Sequence, residues 1–147
     1  MYYKVISKVL TRRLLPLLQN AIAETQSAFV PKRAISDNVL ITHEVLHYLK
    51  TSNAQTHCSM AIKTDMSKAY DRLEWSFIQE VMQKLGFHPT WITWIMQCIT
   101  SVSYTFIING ASRGFVKPER GIRQGDPLSP YLFILCSEVL SGMCRSA

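Results

Sequence analysis

Several things are missing from these 147 residues, and each absence removes a class of protein. No run of about 18 apolar residues occurs, so no stretch reads as a membrane-spanning helix. The N-terminus carries lysines but no apolar segment with a small-residue cleavage site, which excludes a secretory-signal reading. Four cysteines are present, Cys58, Cys98, Cys136 and Cys144, with no C-x-x-C pair and no histidines at zinc-finger spacing, so they read as reduced thiols. His43, His47, His57 and His88 are scattered; His43 and His47 stand one helical turn apart and read as surface residues. Internal repeats, low-complexity tracts and linkers are absent too. The expected setting is intracellular, in the nucleus or cytoplasm, with no membrane partner.

Acidic residues are scarce: ten Asp plus Glu stand against sixteen Lys plus Arg, a net charge of +6. The excess falls in two places. Lys4, Lys8, Arg12, Arg13, Lys32 and Arg33 face only Glu24 near the start, and Arg113, Lys117, Arg120 and Arg123 face only Glu119 further on. Such a field favours a polyanion, and nucleic acid is the commonest large one in cells. The remaining composition is globular, with 48% hydrophobic and 18% charged residues.

Periodicity divides the chain. Lys4, Lys8 and Arg12 make an i, i+4, i+8 stripe on a predicted helix over 4–15, with Ile6, Val9, Leu10 and Leu14 turned away and Arg13 interrupting the apolar side. Pro16 is expected to end or kink it. The stretch "QSAFVPKRAISDN" reads as a loop with Ser36 or Asp37 as a cap, before a helix over 38–50 carrying Val39, Leu46 and Leu49. "SNAQTH" reads as a turn. Residues 60–65 read as a strand entering an amphipathic helix marked by Ile78, Val81, Met82 and Leu85 and closed by Gly86. Pro89 opens another helix. "SYTFIING" and "GFVKP" suggest a β-hairpin, and Asp126 is placed to cap a last helix from Pro127 to about Ser141. The sum is an α+β chain with a small sheet.

"IKTDMSKAYDRLEW" puts Asp65 just past that short strand. A carboxylate so held suits a hard cation such as Mg²⁺, which keeps waters and substrate phosphates as further ligands. Taken alone, Asp65 reads as a strand-end residue or a helix cap rather than as a ligand.

The wording around it is more specific. "DMSKAYDRLEW" resembles motif A of reverse transcriptases and "GIRQGDPLSPYLFILCSEVL" resembles motif B, in the family's order. "YKVISKVLTRRL" and "QSAFVPKRAISDNVL" are similar to the fingers motifs that precede motif A in non-long-terminal-repeat, LINE-type retrotransposons, with a phrasing closest to plant elements. The resemblance implies a right-hand polymerase fold, with residues 1–59 as fingers and 60–147 as part of a ferredoxin-like palm. It implies RNA-directed DNA polymerisation on an RNA template and a DNA primer from deoxynucleoside triphosphates, with Mg²⁺ as cofactor and Mn²⁺ as an alternative.

Carried over residue by residue, the resemblance makes Asp65 the first catalytic aspartate, joined at the metal by the backbone carbonyl of Met66. Tyr70 matches the aromatic gate that excludes a ribose 2′-hydroxyl; its other reading is a core tyrosine. Lys32 and Arg33 match the basic fingers position that grips the triphosphate, a task suited to arginine's planar fork, and they also read as a solvated pair. Gln124 and Gly125 match motif B residues beside the nascent base pair. Lys4, Lys8, Arg12 and Arg123 would contact nucleic acid. Lys68, Asp71 and Asp126 are expected in structural roles, pairing and capping among them.

The family's two remaining catalytic carboxylates belong to an aromatic-Ala-Asp-Asp motif, and in this sequence no Asp follows Asp126 and the one later acid is Glu138. The expectation is a reverse transcriptase segment that holds one of three metal-binding carboxylates and does not polymerise by itself. The rival expectation, from a different class, is a non-catalytic nucleic-acid-binding remnant that keeps the basic fingers.

Overall fold

A computed structural model describes residues 2–53 and 59–146. The expectations for His57, Cys58 and most of the "SNAQTH" turn lie outside the described residues. Six helices and one hairpin follow in order among the described residues: α1 (Tyr2–Ala21), α2 (Ile35–Thr51), α3 (Ala69–Arg72), α4 (Trp75–Lys84), α5 (Pro89–Thr100), β1 (Tyr104–Ile108), β2 (Ala111–Val116) and α6 (Ser129–Ser146).

Four helices make the core. α4 packs on α5 and α6, and α1 packs on α5 and α6. Leu14 and Leu18 of α1, Ile78 and Met82 of α4, Ile95 of α5 and Leu132 and Leu135 of α6 are almost wholly buried. Each such side chain contributes roughly 1.5–3 kcal/mol on leaving water. The apolar period of α4 is as the sequence predicts, and Gly86 at φ +80 ends it in the left-handed conformation that glycine adopts most easily. Leu85 is the exception, lying 42% exposed past the last turn. α5 starts at Pro89 as predicted, and the His88 ring nitrogen accepts the Thr90 amide at 3.2 Å as its cap.

α1 differs from expectation in two ways. It runs through Pro16 to Ala21 without ending there. Pro16 sits on the exposed side, where water can serve the Arg12 carbonyl that loses its partner, while Leu14 and Leu18 hold both halves to the core. Its buried face is Ser7, Leu10, Thr11, Leu14 and Leu18, with Ile6 52% and Val9 46% exposed and Arg13 also exposed. Two hydroxyl residues thus occupy positions the hydrophobic pattern gave to Ile6 and Val9.

α2 begins earlier than expected. Its N-cap is Ala34, with no side-chain cap bond, so neither Ser36 nor Asp37 caps it, and none of its residues is buried. Residues 60–65 form no strand: they are exposed and pair with no other strand among the described residues. A strand without a partner has no ladder to hold it extended.

The sheet is the β1–β2 hairpin alone. Asn109 and Gly110 at its tip both have positive φ, +52 and +77, as the tight mirror-image turns of hairpins require. Between Tyr104 and Phe106 the register slips, and Gly114 at φ +70 lies in the extra residue on β2. Every hairpin residue is exposed. α6 starts at Ser129, two residues later than predicted, and continues to Ser146. The chain is therefore mostly helical with a small sheet, and no described helix is long and apolar enough to cross a membrane.

Candidate functional site

Asp65 and Met66 are exposed and line a groove of about 460 Å³. Ala69, Arg72 and Leu73 around α3, Phe77 of α4 and Phe133 and Leu140 of α6 form much of its lining. Asp65 is reached by an irregular segment and not by a strand. The turn that follows is set by Lys68 at φ +53, whose carbonyl accepts the amides of Asp71 and Arg72 at 3.0 and 3.1 Å. Lys68 therefore has the structural role expected of it. Asp71 makes no ion pair; among the described residues the pair formed is Arg145 with Glu138, at 2.7 Å.

Tyr70 lies behind the groove, half-buried, with its ring 5.2 Å from that of Phe133 at an interplanar angle of 40°. Burial pushes its phenol up from the ordinary value, so it stays protonated. The tyrosine is fastened from the backbone as well. Ile122 donates to the Tyr70 carbonyl at 3.0 Å, Gly121 donates to the Leu73 carbonyl at 2.8 Å, and the Trp75 indole donates to the Gly121 carbonyl at 2.7 Å. Gly121 has φ +86, and a Cβ there would come within 3.2 Å of the Asp71 Cα and 3.3 Å of the Tyr70 carbonyl oxygen. Only a glycine lets these two backbones approach so closely.

Beyond this junction the chain turns at Gln124 and Gly125, both exposed, with Gly125 at φ +83. Arg123 lines a second, smaller cleft of about 200 Å³ with Tyr3, Asp71, Arg120, Gly121 and Asp126. α3 and its flank thus border both clefts. The two motif-like segments are brought together, but Asp65 and Arg123 open onto different hollows.

Asp126 is 6% exposed and does more than cap. Its Oδ1 accepts the Leu128 amide at 3.0 Å, which caps the turn ahead of α6, and its carboxylate also accepts the hydroxyls of Tyr3 and Ser7 from α1. Burial, and then the bond to Asp126, holds the Tyr3 phenol well above the usual range. This α1–α6 link escaped the sequence pattern; the signal that could have found it is Ser7 and Thr11 at helical spacing with Leu10 and Leu14.

Lys32 and Arg33, expected to grip a triphosphate, line neither of these clefts. Lys32 is exposed at φ +66. The Arg33 guanidinium donates to the carbonyls of Ala23, Gln26 at 2.7 Å and Ile22 at 3.2 Å, closing the irregular chain beyond α1. A cation there also suits the negative end of a helix. Lys4, Lys8 and Arg12 are exposed on α1, as their stripe predicts.

A divalent ion needs about six oxygens, and a pair of ions needs several carboxylates. Among the described residues, no group of three or more His, Cys, Asp and Glu is placed to hold one. Asp65 with the Met66 backbone offers two ligands, so these residues alone do not make a two-metal centre.

Residues 1–147 match the family model for reverse transcriptase, RNA-dependent DNA polymerase. The chain is 31% identical over 137 residues to the transposon TX1 uncharacterized 149 kDa protein of Xenopus laevis, covering 92% of this chain and 10% of that protein. It is 27% identical over 141 residues to the retrovirus-related Pol polyprotein from type-2 retrotransposable element R2DM of Drosophila melanogaster, covering 92% and 13%. Over 42 residues it is 79% identical to an uncharacterized mitochondrial protein of Arabidopsis thaliana, covering 29% of this chain and 34% of that one. The chain thus spans 34% or less of each of these relatives.

Proposed function

The chain belongs to the reverse transcriptase family, and from that premise we propose that it is the fingers and early palm of a retrotransposon RNA-directed DNA polymerase. Residues 1–59 form the fingers portion and 60–147 the palm portion. In the complete enzyme, Asp65 is the first of the metal-binding carboxylates, with the Met66 carbonyl beside it and Mg²⁺ or Mn²⁺ supplied with the nucleotide. The template is RNA, the primer DNA and the substrates deoxynucleoside triphosphates. The observation that carries this reading is the backbone fastening of the Asp65–Trp75 segment to the Gly121–Gly125 segment through Tyr70, Leu73 and Trp75. It ties the segment that follows Asp65 to the residues just before the Gln124–Gly125 turn.

Tyr70 is assigned the steric gate; its ring packs on Phe133, which lines the groove beside Asp65, and that contact keeps the wall from yielding. Lys32 and the remaining donors of Arg33 can meet a triphosphate, and Arg33's carbonyl bonds would fix the fork in advance. Lys4, Lys8, Arg12 and Arg123 serve the nucleic-acid backbone.

With one carboxylate at the site, the 147-residue polypeptide is expected to bind nucleotide weakly and not to extend a primer. Fluorescence titration with a labelled deoxynucleoside triphosphate tests this. Binding should need Mg²⁺ and weaken in Asp65→Ala, while the melting temperature stays put because Asp65 is exposed. Nucleic-acid binding without any nucleotide response would favour the remnant reading, for which the exposed basic stripe of α1 speaks.

A further inference from the structure

We propose that Tyr3 and Ser7, near the start of α1, are positioning residues for the Gln124–Gly125 turn and act on it through the carboxylate of Asp126. That the turn faces a nucleotide rests on the function proposed above; that the hydroxyls hold it does not.

Asp126 follows the turn directly and is 6% exposed. A carboxylate so buried is costly unless donors surround it. It has three: the Tyr3 hydroxyl, the Ser7 hydroxyl and the Leu128 amide. Only the last comes from its own neighbourhood in sequence. Ser7 is fully buried, and its own turn of helix is braced by the Thr11 hydroxyl, which donates to the Ser7 carbonyl at 2.8 Å. Burial and the carboxylate keep the Tyr3 phenol protonated, so it remains a donor at any ordinary pH.

The turn needs such an anchor. Gly121 precedes it and Gly125 is part of it, both at positive φ, and glycine gives the backbone more freedom than any other residue. One end is tied by Ile122 to Tyr70; the other is tied by Asp126, whose amide reaches the Arg123 carbonyl at 3.4 Å and whose side chain is held by α1. Without the hydroxyls, the buried carboxylate would be short of donors and would be drawn toward water, taking Gly125 with it. α1, remote from both motif-like segments in sequence, thereby sets where the turn rests.

Hydrogen exchange read by mass spectrometry on the 147-residue chain tests this, comparing wild type with Tyr3→Phe and Ser7→Ala and with Tyr2→Phe as the exposed control. The expected result is exchange at least about tenfold faster for the amides of Asp126, Leu128 and Ser129 in the first two variants, as loss of a charge-assisted hydrogen bond implies. α4 and α5 should be unchanged, and so should the control. In parallel, affinity for the Mg²⁺ deoxynucleoside triphosphate should fall severalfold, with affinity for single-stranded nucleic acid unaltered. Unchanged exchange over residues 121–129, or faster exchange spread evenly over α4, α5 and α6, overturns the proposal. Faster local exchange with no loss of nucleotide affinity bears out the anchoring and overturns the placing of the turn at the nucleotide. Should Ser7→Ala fail to fold, Tyr3→Phe still decides, since it keeps the ring and removes one oxygen. If the wild type binds no nucleotide, the polymerase reading fails, and the exchange data alone decide whether the hydroxyls hold the turn.

Discussion

Ile122 donates its amide to the carbonyl of Tyr70 across 3.0 Å, joining two segments that are distant in sequence. The bond does not involve the phenol, so the ring stays free to pack on Phe133 while its backbone is fixed. Movement at either segment is therefore felt at the other.

Gly121 is where that coupling is most exposed to mutation. Gly121→Ala meets both a left-handed backbone at φ +86 and contacts of 3.2–3.3 Å from Asp71 and Tyr70, so a loss of about 2 kcal/mol or more is expected. Gly86→Ala meets the first obstacle without the second, since nothing lies within 4 Å, and should lose about 1 kcal/mol. Urea unfolding of both variants checks the order; equal losses would mean the close approach carries no energy.

Nucleic-acid binding should lean on the exposed stripe of α1. Lys8→Ala and Arg12→Ala are each expected to lower the slope of log affinity against log salt by about 0.7–0.9, if each residue neutralises one phosphate. The losses should be alike for different sequences, because phosphates are the same in all of them. Anisotropy titrations between low and moderate salt measure the slope, and an unaltered slope would remove these residues from the interface.

Alkali should unfold the chain early. Burial pushes the Cys136 thiol from 9.0 up to about 12 and also raises Cys98, Tyr70 and, with help from Asp126, Tyr3. Each group keeps its proton in the folded state at a pH where the unfolded chain gives it up. The stability linked to Cys136 is whole below about pH 9 and is lost as pH rises towards about 12, with the two tyrosines adding to the loss above pH 10. Melting temperatures across that window should fall steadily; a flat profile would show that these groups titrate alike in both states. The same burial makes exposed Cys144 the thiol to react before Cys98 and Cys136 when maleimide is added near neutral pH.

The sequence was most legible where one physical cause acts alone. α4 and α5 are bounded by Gly86 and Pro89 and have a clean apolar period, and the hairpin is where the sequence places it, although its connection, expected across Gly110 to Gly114, is the shorter turn at Asn109–Gly110. It was least legible where tertiary partners decide. Pro16 reads as a stop until Leu18 is seen to be buried beyond it. Ser7 and Thr11 stand outside the apolar period, and their burial is explained only by partners: the Asp126 carboxylate accepts the Ser7 hydroxyl, and the Ser7 carbonyl accepts that of Thr11. Residues 60–65 carry strand-like letters, and pairing, which letters do not record, is what makes a strand. For the candidate site, Asp65, Tyr70 and the Gln124–Gly125 turn stood out from wording alone. The carbonyl clamp of Arg33 did not, because it depends on where the end of α1 points.

The bonds of Tyr3 and Ser7 to Asp126 also fix an order of events during synthesis, because they close loops of more than a hundred residues. At about 5–20 residues per second, a ribosome needs roughly 6–25 s to travel from Tyr3 to Asp126. Through that interval α1 has been made, and α6, one of the two helices it packs against, has not. Leu14 and Leu18 wait for their full cover while α4 and α5, local in sequence, can already meet. α1 is thus made well before it is fully seated, and a chaperone that grips short apolar segments would find its natural client there.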